Sequence, residues 1–369
     1  MPARRQFLAA SAGAFGAAVL GVTPPSARAS VGEDWNKVVA DAKGQDLNLI
    51  MDPYDGQTEV IKAFSARFPG IRVQTTVLHP SDAGPRIITE QKSGLYNWDA
   101  WWSTASTMNN VVLPAGGLER IADYFVLKEV ADPASWLVPT KYQYTQEANQ
   151  SVFVHTHFLI SYAHYNGDEV PGGNLTWANF LDPALRGNIE IRPPNRNHGG
   201  TFMLAQIAKI RGIDYVQKLL TDMKPVYVDN DGQITNAVLR GDTSVGIGTA
   251  ADKVYECTKA GGCRNVRSIP AKCMHSRGIS VPKNAPHRAA TKVFVNWILS
   301  KEGQDTYVKD WAVDNAEGAF SLRRDVKPDP RHLASIPDFK NLGQYVAVSM
   351  ESSKPELKAI NDLYAKVRG

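Results

Sequence analysis

The chain has 369 residues, a mean hydropathy of −0.28 and a formal net charge of +4. Residues 1–29 contain three arginines and no acid, so their removal would lower the net charge by three, to +1. Nucleic-acid-binding proteins carry a clear basic excess, and this near-neutral composition argues against that class. The remaining length exceeds what one hydrophobic core usually organises, which predicts two domains.

Residues 1–29 are typical of an export signal. Arg4 and Arg5 precede an apolar stretch over 8–22, and an Ala-Arg-Ala sequence before the cleavage point ends at Ala29. The Arg-Arg-x-Phe-Leu pattern resembles a twin-arginine signal, with an ordinary Sec signal as the alternative. The apolar stretch is shorter than the roughly 20 residues that span a bilayer, and no lipid-accepting cysteine follows. We therefore expect a free, monomeric protein in the periplasm.

Short strands alternate with helices in the first half of the chain. After an amphipathic segment over Trp35–Ala42, the predicted elements are a strand over 46–51, a helix opened by 54–57, a strand over 71–77, a helix over 85–92, a strand over 98–102 and a helix containing 108–113. This alternation predicts an α/β fold with a mostly parallel sheet and helices on both faces.

A second α/β series follows the long β-like run over 152–165, which we expect to leave the first lobe. The predicted elements are strands over 188–192, 224–228 and 244–247, helices over 201–211 and 234–240, a return connection over 273–282, a helix over 292–309 and more helix from Leu333. We therefore expect lobe 1 to comprise 30–157 with 277–325, lobe 2 to comprise 158–276, and a helical region over 326–369 to pack on the lobes.

Three cysteines, Cys257, Cys263 and Cys273, lie within seventeen residues. One pair should form a disulfide in an oxidising compartment. Cys257 and Cys263 flank a Thr-Lys-Ala-Gly-Gly turn, so we predict that they form the bridge. A zinc site that adds His275 is the alternative, although the spacing matches none of the usual ligand pairs.

Four polar loops follow predicted strands and open helices, over 52–58, 103–109, 195–201 and 229–235. Ligands of open α/β sheets bind outside the carboxyl ends of the strands, beside helix N-termini that favour anions. Helix capping uses the same residue types and is the alternative for any single loop. The candidate ligand-binding residues are Tyr54, Asp55, Ser103, Thr104, Asn195, Arg196, His198, Thr201, Asp231, Gln233, Thr249 and Trp311.

Four stretches, over 98–104 (WDAWWST), 180–189 (FLDPALRGNI), 231–247 (DGQITNAVLRGDTSVGI) and 297–304 (WILSKEGQ), carry a family likeness. With them the chain resembles the extracellular solute-binding proteins of the iron, thiamine, putrescine and spermidine type. The resemblance implies a type II periplasmic binding fold, in which two hinged lobes close on one ligand, and an ABC transporter permease as partner. We predict no cofactor.

The loop over 195–201 is the segment from which we predict the class of solute. Arg196 offers a planar fork of donors that can bind a carboxylate or phosphate in two hydrogen bonds, and Gly199 and Gly200 allow close backbone approach. An organic anion or a phosphorylated compound is favoured. A polyamine, bound by Asp55, Asp229, Asp231 and Asp252 with Tyr54, Trp101 and Trp311, and a ferric complex are the alternatives. The adjacent tyrosine pair of ferric-binding relatives is replaced here by the Trp-Ala-Val-Asp sequence over 311–314.

An enzyme is the main rival class, with a serine–histidine dyad drawn from Ser103 or Ser106 and His155, His157 or His198. The sequence lacks a Gly-x-Ser-x-Gly elbow, a P-loop and a dinucleotide fingerprint. His155 and His157 share a strand face, which would also suit a metal. A periplasmic sensor input on the same fold is a third alternative. We predict a non-enzymatic binding protein with no metal.

Overall fold

The structure is a computed structural model that describes residues 31–52, 55–311 and 320–368. The predicted export signal and Tyr54 lie outside the described residues, as do the side chains of Asp55 and Trp311. No helix within the described residues is long and apolar enough to cross a bilayer.

The described residues form ten strands and thirteen α-helices. The strands are β1 (Asp46–Met51), β2 (Arg72–Val77), β3 (Ala100–Thr104), β4 (Val152–Ile160), β5 (Ala163–Asn166), β6 (Ile189–Ile191), β7 (Val226–Tyr227), β8 (Val245–Ile247), β9 (Val266–Ser268) and β10 (Cys273–Ser280). The helices are α1 (Trp35–Ala42), α2 (Asp55–Arg67), α3 (Pro80–Lys92), α4 (Ala105–Thr107), α5 (Lys128–Ala131), α6 (Thr140–Gln143), α7 (Gly199–Arg211), α8 (Ile213–Thr221), α9 (Asp231–Arg240), α10 (Ala251–Lys259), α11 (Arg288–Leu299), α12 (Lys301–Trp311) and α13 (Lys354–Arg368).

Two five-stranded sheets organise these elements. The first has the order β2-β1-β3-β10-β4 and the second the order β7-β6-β8-β5-β9. β10 is antiparallel to both of its neighbours, and so is β5, while the other four strands of each sheet run parallel to one another. The two mixed sheets with helices on both faces confirm the predicted α/β class.

The apolar side chains divide between the two sheets. The first cluster contains the buried residues of β1 and β3 with those of α11, where Val293–Leu299 are all buried. The second contains the inward face of α7 with β6 and β8. Each sheet therefore has a hydrophobic core of its own, which agrees with the expectation from chain length.

The chain passes from the first sheet to the second at Ser161 and Tyr162, where the predicted single strand over 152–165 is in fact two. The Ser161 hydroxyl donates to the Ala163 carbonyl, 2.8 Å away. The Tyr162 carbonyl accepts from the N–H groups of Gly248 and Thr249, at 2.6 and 2.8 Å. These bonds end pairing with β10 and begin pairing with β8, a switch that an uninterrupted β-like sequence does not reveal.

Two further segments join the sheets. Residues 269–272 lead from β9 back to β10. Near the C-terminus, the Met274 N–H donates to the Val346 carbonyl and the Val348 N–H to the Met274 carbonyl, each at 3.0 Å. Val346 and Val348 are buried in the second cluster, whereas Ala347 is buried in the first. The alternation of a β-like strand thus places neighbouring residues in different cores.

Several predicted helices differ from the structure. The predicted helix over 292–309 is divided at Ser300, whose ψ of 169° is extended and whose hydroxyl donates to the Trp297 carbonyl. Helix α3 starts at Pro80 rather than at Pro85. A proline is accepted in the first turn because the N–H group that it lacks would have no acceptor within the helix there. The C-terminal region is helical only in short 3₁₀ turns until Lys354, because its backbone follows the surfaces of both cores.

Candidate ligand-binding site

The carboxyl ends of β6, β7 and β8 lie at one edge of the second sheet, because these strands are parallel. Arg192 directly follows β6, Asp229 follows β7, and Gly248 directly follows β8. Helix α7 starts at Gly199 and α9 at Asp231, from the loops that leave this edge. We call these loops and helix starts the second-sheet edge, and it is where ligands of open α/β sheets bind.

Arg192 occupies the centre of the second-sheet edge. Gly248 has a φ of +99°, and a Cβ there would lie only 2.5 Å from the Cβ of Arg192, so glycine is required. The Nε of Arg192 lies 3.7 Å from Oδ1 of Asp229, and its Nη1 lies 3.6 Å from Oδ2 of Asp231. Both distances exceed a hydrogen bond, and the buried Nε has no partner among the described residues. The guanidinium therefore keeps donors for another acceptor.

His198 stabilises the loop that opens α7. Its Nδ1 accepts from the Gly200 N–H at 3.2 Å, and its Nε2 lies 2.9 Å from the Pro193 carbonyl, to which it donates. Burial, together with the charge of Arg192, lowers the pKa of His198 to about 4. The neutral ring thus has both nitrogens engaged within the loop, and it caps α7 rather than offering a group to a solute.

The rest of this loop presents one charged side chain to solvent. Arg196 is 62% exposed and its Nη2 lies 3.2 Å from Oδ1 of Asp229. The buried Thr201 donates its hydroxyl proton to the Arg196 carbonyl and so fixes the backbone beneath that side chain. Asn195 is exposed. Of the four predicted residues here, Asn195 and Arg196 are available to a ligand, and His198 and Thr201 hold the loop.

Helix α9 starts beside the same edge. The Asn230 side chain accepts from the Gln233 N–H at 2.9 Å and caps the helix, while the side chains of Asp231 and Gln233 remain exposed. Thr249, by contrast, is buried, and its hydroxyl lies 2.7 Å from Nδ1 of His164. Burial lowers the pKa of His164 to about 4, which keeps this pair neutral.

Lys253 adds a third cation. A Cβ built on Gly232 would lie 2.9 Å from the Lys253 Nζ, so the ammonium group sits directly over the first turn of α9. The second-sheet edge therefore holds Arg192, Arg196 and Lys253 against the carboxylates of Asp229 and Asp231. The partial positive charge of two helix N-termini adds to this excess.

The carboxyl edge of the first sheet contains a buried ion pair. Nη1 of Arg277 lies 2.6 Å from Oδ2 of Asp52, and both side chains are 1% exposed. Ser103 donates a short hydrogen bond to the other oxygen of Asp52. Thr104 ends β3 beside it and is half-buried. The Ser103 hydroxyl is thus used in a hydrogen bond to a carboxylate, and a buried ion pair already occupies the carboxyl edge of the first sheet.

The histidines of β4 form hydrogen bonds inside the protein, His157 through both ring nitrogens and His155 through Nε2. The Trp102 indole N–H donates to Nε2 of His155 at 2.9 Å. His157 contacts the Ser276 hydroxyl through Nδ1, at 2.8 Å, and the Tyr142 carbonyl through Nε2, at 2.9 Å. Burial lowers the pKa of His155 to about 3 and that of His157 to about 4. In the described part of the chain, no hydrogen bond links either ring to the serines of the suggested dyads.

Cys257 and Cys263 form a disulfide with their Cα atoms 5.8 Å apart, the pair that the sequence predicts. It joins the end of α10 to the turn before β9. Cys273 is buried, and its thiol contacts the Phe202 carbonyl. Among the described residues, no group of three histidine, cysteine or acidic side chains is placed to bind a metal.

A family model described as bacterial extracellular solute-binding protein matches residues 52–310. The chain belongs to this family. The match includes every strand except β1 and both carboxyl edges. The resemblance drawn from the four sequence stretches is therefore confirmed.

Solved structures share the fold of this solute-binding protein at low sequence identity. Iron-bound HitA from Pseudomonas aeruginosa is 18% identical with a TM-score of 0.56, and the match covers 86% of this chain and 99% of HitA. The Trichodesmium protein IdiA (FutA), in complex with iron and citrate, is 17% identical with a TM-score of 0.59 over 87% and 99%. AfuA from Actinobacillus pleuropneumoniae, with bound fructose-6-phosphate, is 18% identical with a TM-score of 0.54 over 88% and 99%.

An uncharacterized protein from Haemophilus influenzae is 26% identical over 136 residues. That match covers 35% of this solute-binding protein and 38% of the relative, so the aligned region spans well under half of either chain.

The sequence did not predict four charged residues at the carboxyl edges of the two sheets. They are Arg192 and Lys253 in the second sheet, and Asp52 and Arg277 in the first. Asp52 and Arg192 each directly follow a strand, so the strand–loop pattern that suggested the other candidates could have included them. Arg277 and Lys253 lie inside regular elements, and only the packing of β10 against β3 and of α10 beside α9 brings them to the edges.

Proposed function

We propose that this protein is the substrate-binding component of an ABC transporter and that it captures a small anion, an organic acid or a phosphorylated compound, between its two sheets. Family membership supports solute binding, and Arg192 carries the choice of an anion. Its guanidinium is held at the carboxyl end of β6, and its buried Nε lacks a hydrogen-bond partner among the described residues. A carboxylate or phosphate oxygen of the solute would accept the hydrogen bond that this Nε can donate.

The surroundings of Arg192 support the same class of solute. The N-termini of α7 and α9 bring their partial positive charge to this edge, although the Gly200 and Gln233 N–H groups donate to caps, and Arg196 and Lys253 add positive charge. Helix N-termini and guanidinium groups both bind oxyanions, and their effects add where water is excluded. After export the protein would act as a monomer in the periplasm and deliver the solute to a permease of the inner membrane. We propose no catalytic step.

A cationic solute is the second candidate. Asp229 and Asp231 have side chains that are 58% and 51% exposed at the same edge, and their contacts to Arg192 are long. A polyamine ammonium group could displace those contacts. A ferric complex is the third candidate, since HitA and IdiA are iron-bound in their solved structures. A sensor input or a hydrolase on the same scaffold would bind solute at the same edges.

A binding screen followed by substitution of Arg192 tests the proposal. Phosphate esters, carboxylates, polyamines and ferric chelates are compared by the rise in melting temperature, and the best ligand is titrated calorimetrically against Arg192→Ala. Losing a partly buried charged contact costs about 2–5 kcal/mol, or about thirty-fold or more in Kd. Arg240→Ala is the matched control, because Arg240 is an exposed arginine at the far end of α9. Polyamine binding that survives or tightens in Arg192→Ala would overturn the anion proposal.

A further inference from the structure

A crevice of about 500 Å³ lies against the segment that returns the chain from β9 to β10. One wall is the C-terminal half of α7, with Gln206 and Lys209. A second wall is the return segment, with Lys272, and the third is the segment over 341–345, which precedes the C-terminal connection between the sheets. We call this space the hinge crevice. Its volume falls within the range of small-molecule sites.

The hinge crevice is separate from the second-sheet edge. Lys209 lies eight residues along α7 from Thr201, which corresponds to about 12 Å of helix. The Gln206 side chain fixes the wall between them: its Nε2 donates to the Gln344 carbonyl at 3.1 Å, and its Oε1 accepts from the Val346 N–H at 2.6 Å. These bonds hold the 341–345 segment at a constant distance from α7.

The lining of the crevice is positively charged. Lys209 is exposed and Lys272 is half-buried, and none of the described residues that line the crevice is acidic. The Lys209 Nζ donates to Glu356 of α13 at 2.8 Å, and the Lys272 Nζ donates to the Ala334 carbonyl at 3.2 Å. An ammonium group has three donors, so each lysine keeps donors for a further acceptor. The amides of Asn341 and Gln344 are exposed beside them.

We propose that the hinge crevice is a second binding site, for a small multivalent anion held between Lys209 and Lys272. The two hydrogen bonds of Gln206 fix the walls relative to each other, so the crevice is preformed. The existence of this site does not rest on the proposed function.

Calorimetric titration of the full mature chain with pyrophosphate, and separately with citrate, tests the site. Lys272→Gln should weaken binding of the probe by at least about tenfold. No heavy atom lies within 4 Å of a Cβ placed on Gly343, so Gly343→Glu should fold normally. Its carboxylate should abolish binding by repulsion, while the neutral Gly343→Gln should weaken it less. Unchanged melting temperatures of the apo variants confirm that the fold is intact.

The second-sheet edge is the control for this experiment. Arg192→Ala and Arg196→Ala should leave the crevice titration unchanged, even if they abolish binding of the transported solute. Probe binding that is lost in Arg192→Ala and kept in Lys272→Gln would place the anion at the second-sheet edge and overturn the second site. Absence of binding by both probes at millimolar concentration would overturn it as well. Because both probes resemble the solute proposed for the second-sheet edge, the Lys272→Gln and Gly343→Glu titrations are repeated in the Arg192→Ala background, in which binding at that edge is weakened.

Discussion

At the scale of single residues, the two arginines of the second-sheet edge have different surroundings. Arg192 is 21% exposed and is fixed at its backbone by the close approach of Gly248, whereas Arg196 is 62% exposed and forms one ion pair with Asp229. An exposed ion pair contributes little to stability because water and salt screen it. Arg196 is therefore free to exchange Asp229 for a solute, and Arg192 is already positioned for one.

Replacement of Arg196 should weaken binding of an anionic solute without destabilising the protein. Because its side chain is exposed, we expect Arg196→Ala to cost about 1–2 kcal/mol of binding free energy, less than Arg192→Ala. Arg196→Lys should recover only part of this, since an ammonium group cannot form two parallel hydrogen bonds to one oxyanion. Titration calorimetry and the apo melting temperature measure both effects. A large drop in apo stability would show that Arg196 is structural.

At the scale of secondary-structure elements, β4 has two roles. It pairs with β10 in the first sheet, and it leads directly into the crossing to the second sheet at 161–162. It is buried along nearly its whole length, and His155 and His157 are buried within it as neutral rings. A histidine that is buried and neutral in the folded state binds fewer protons there than in the unfolded chain. Acidification should therefore weaken this part of the fold.

His157 should contribute to the pH dependence of stability, together with His155, His164 and His198, whose pKa values are lowered as well. Burial lowers the pKa of His157 to about 4 in the folded protein, below the ordinary value of 6.5 for a histidine. The unfolded chain thus binds more protons between these two values, so the free energy of unfolding should fall as pH decreases from about 6.5 towards 4. Urea denaturation at pH 7 and pH 5 should show this decrease, and His157→Gln should reduce it.

His79 provides the control for this measurement, because its side chain is exposed and its Nδ1 lies 3.0 Å from the Ser81 hydroxyl at the surface. His79→Gln should leave the difference between pH 7 and pH 5 as it is in the wild type. An equal difference in His157→Gln and the wild type would contradict the assignment to the β4 histidine.

At the scale of the whole molecule, the chain crosses between the two sheets at 161–162, at 269–272 and near 346–348. Each crossing is short, and each sheet keeps its own hydrophobic core. This arrangement permits one sheet and its helices to rotate against the other, since few residues need to change conformation. We propose that the two sheets are the two lobes of the predicted division and that they close on the solute.

Closure should be visible in small-angle scattering. A compact chain of this length has a radius of gyration of about 20 Å, and saturation with the solute found in the screen should decrease it. Arg192→Ala at the same solute concentration provides the unliganded reference. A scattering curve that is unchanged while calorimetry shows saturation would contradict a closing cleft.

The sequence alone determined the class of fold and the family. Strands β1 and β8 were predicted nearly to the residue because their buried runs are short and are bounded by polar loops. The strand–loop–helix pattern also located Asn195, Arg196, Asp231 and Gln233 at one edge. These predictions succeeded because periodicity and helix capping are local properties that each segment carries by itself.

The tertiary structure decided which hydrogen-bond partner each polar side chain has. Ser103 and His198 have the residue types of a ligand site, yet Ser103 donates to Asp52 and His198 caps α7. The break in 152–165 and the third crossing near Val346 depend on which sheet offers free backbone groups at that point. Such contacts join residues that are far apart in the chain, Asp52 and Arg277 above all, and no local pattern records them.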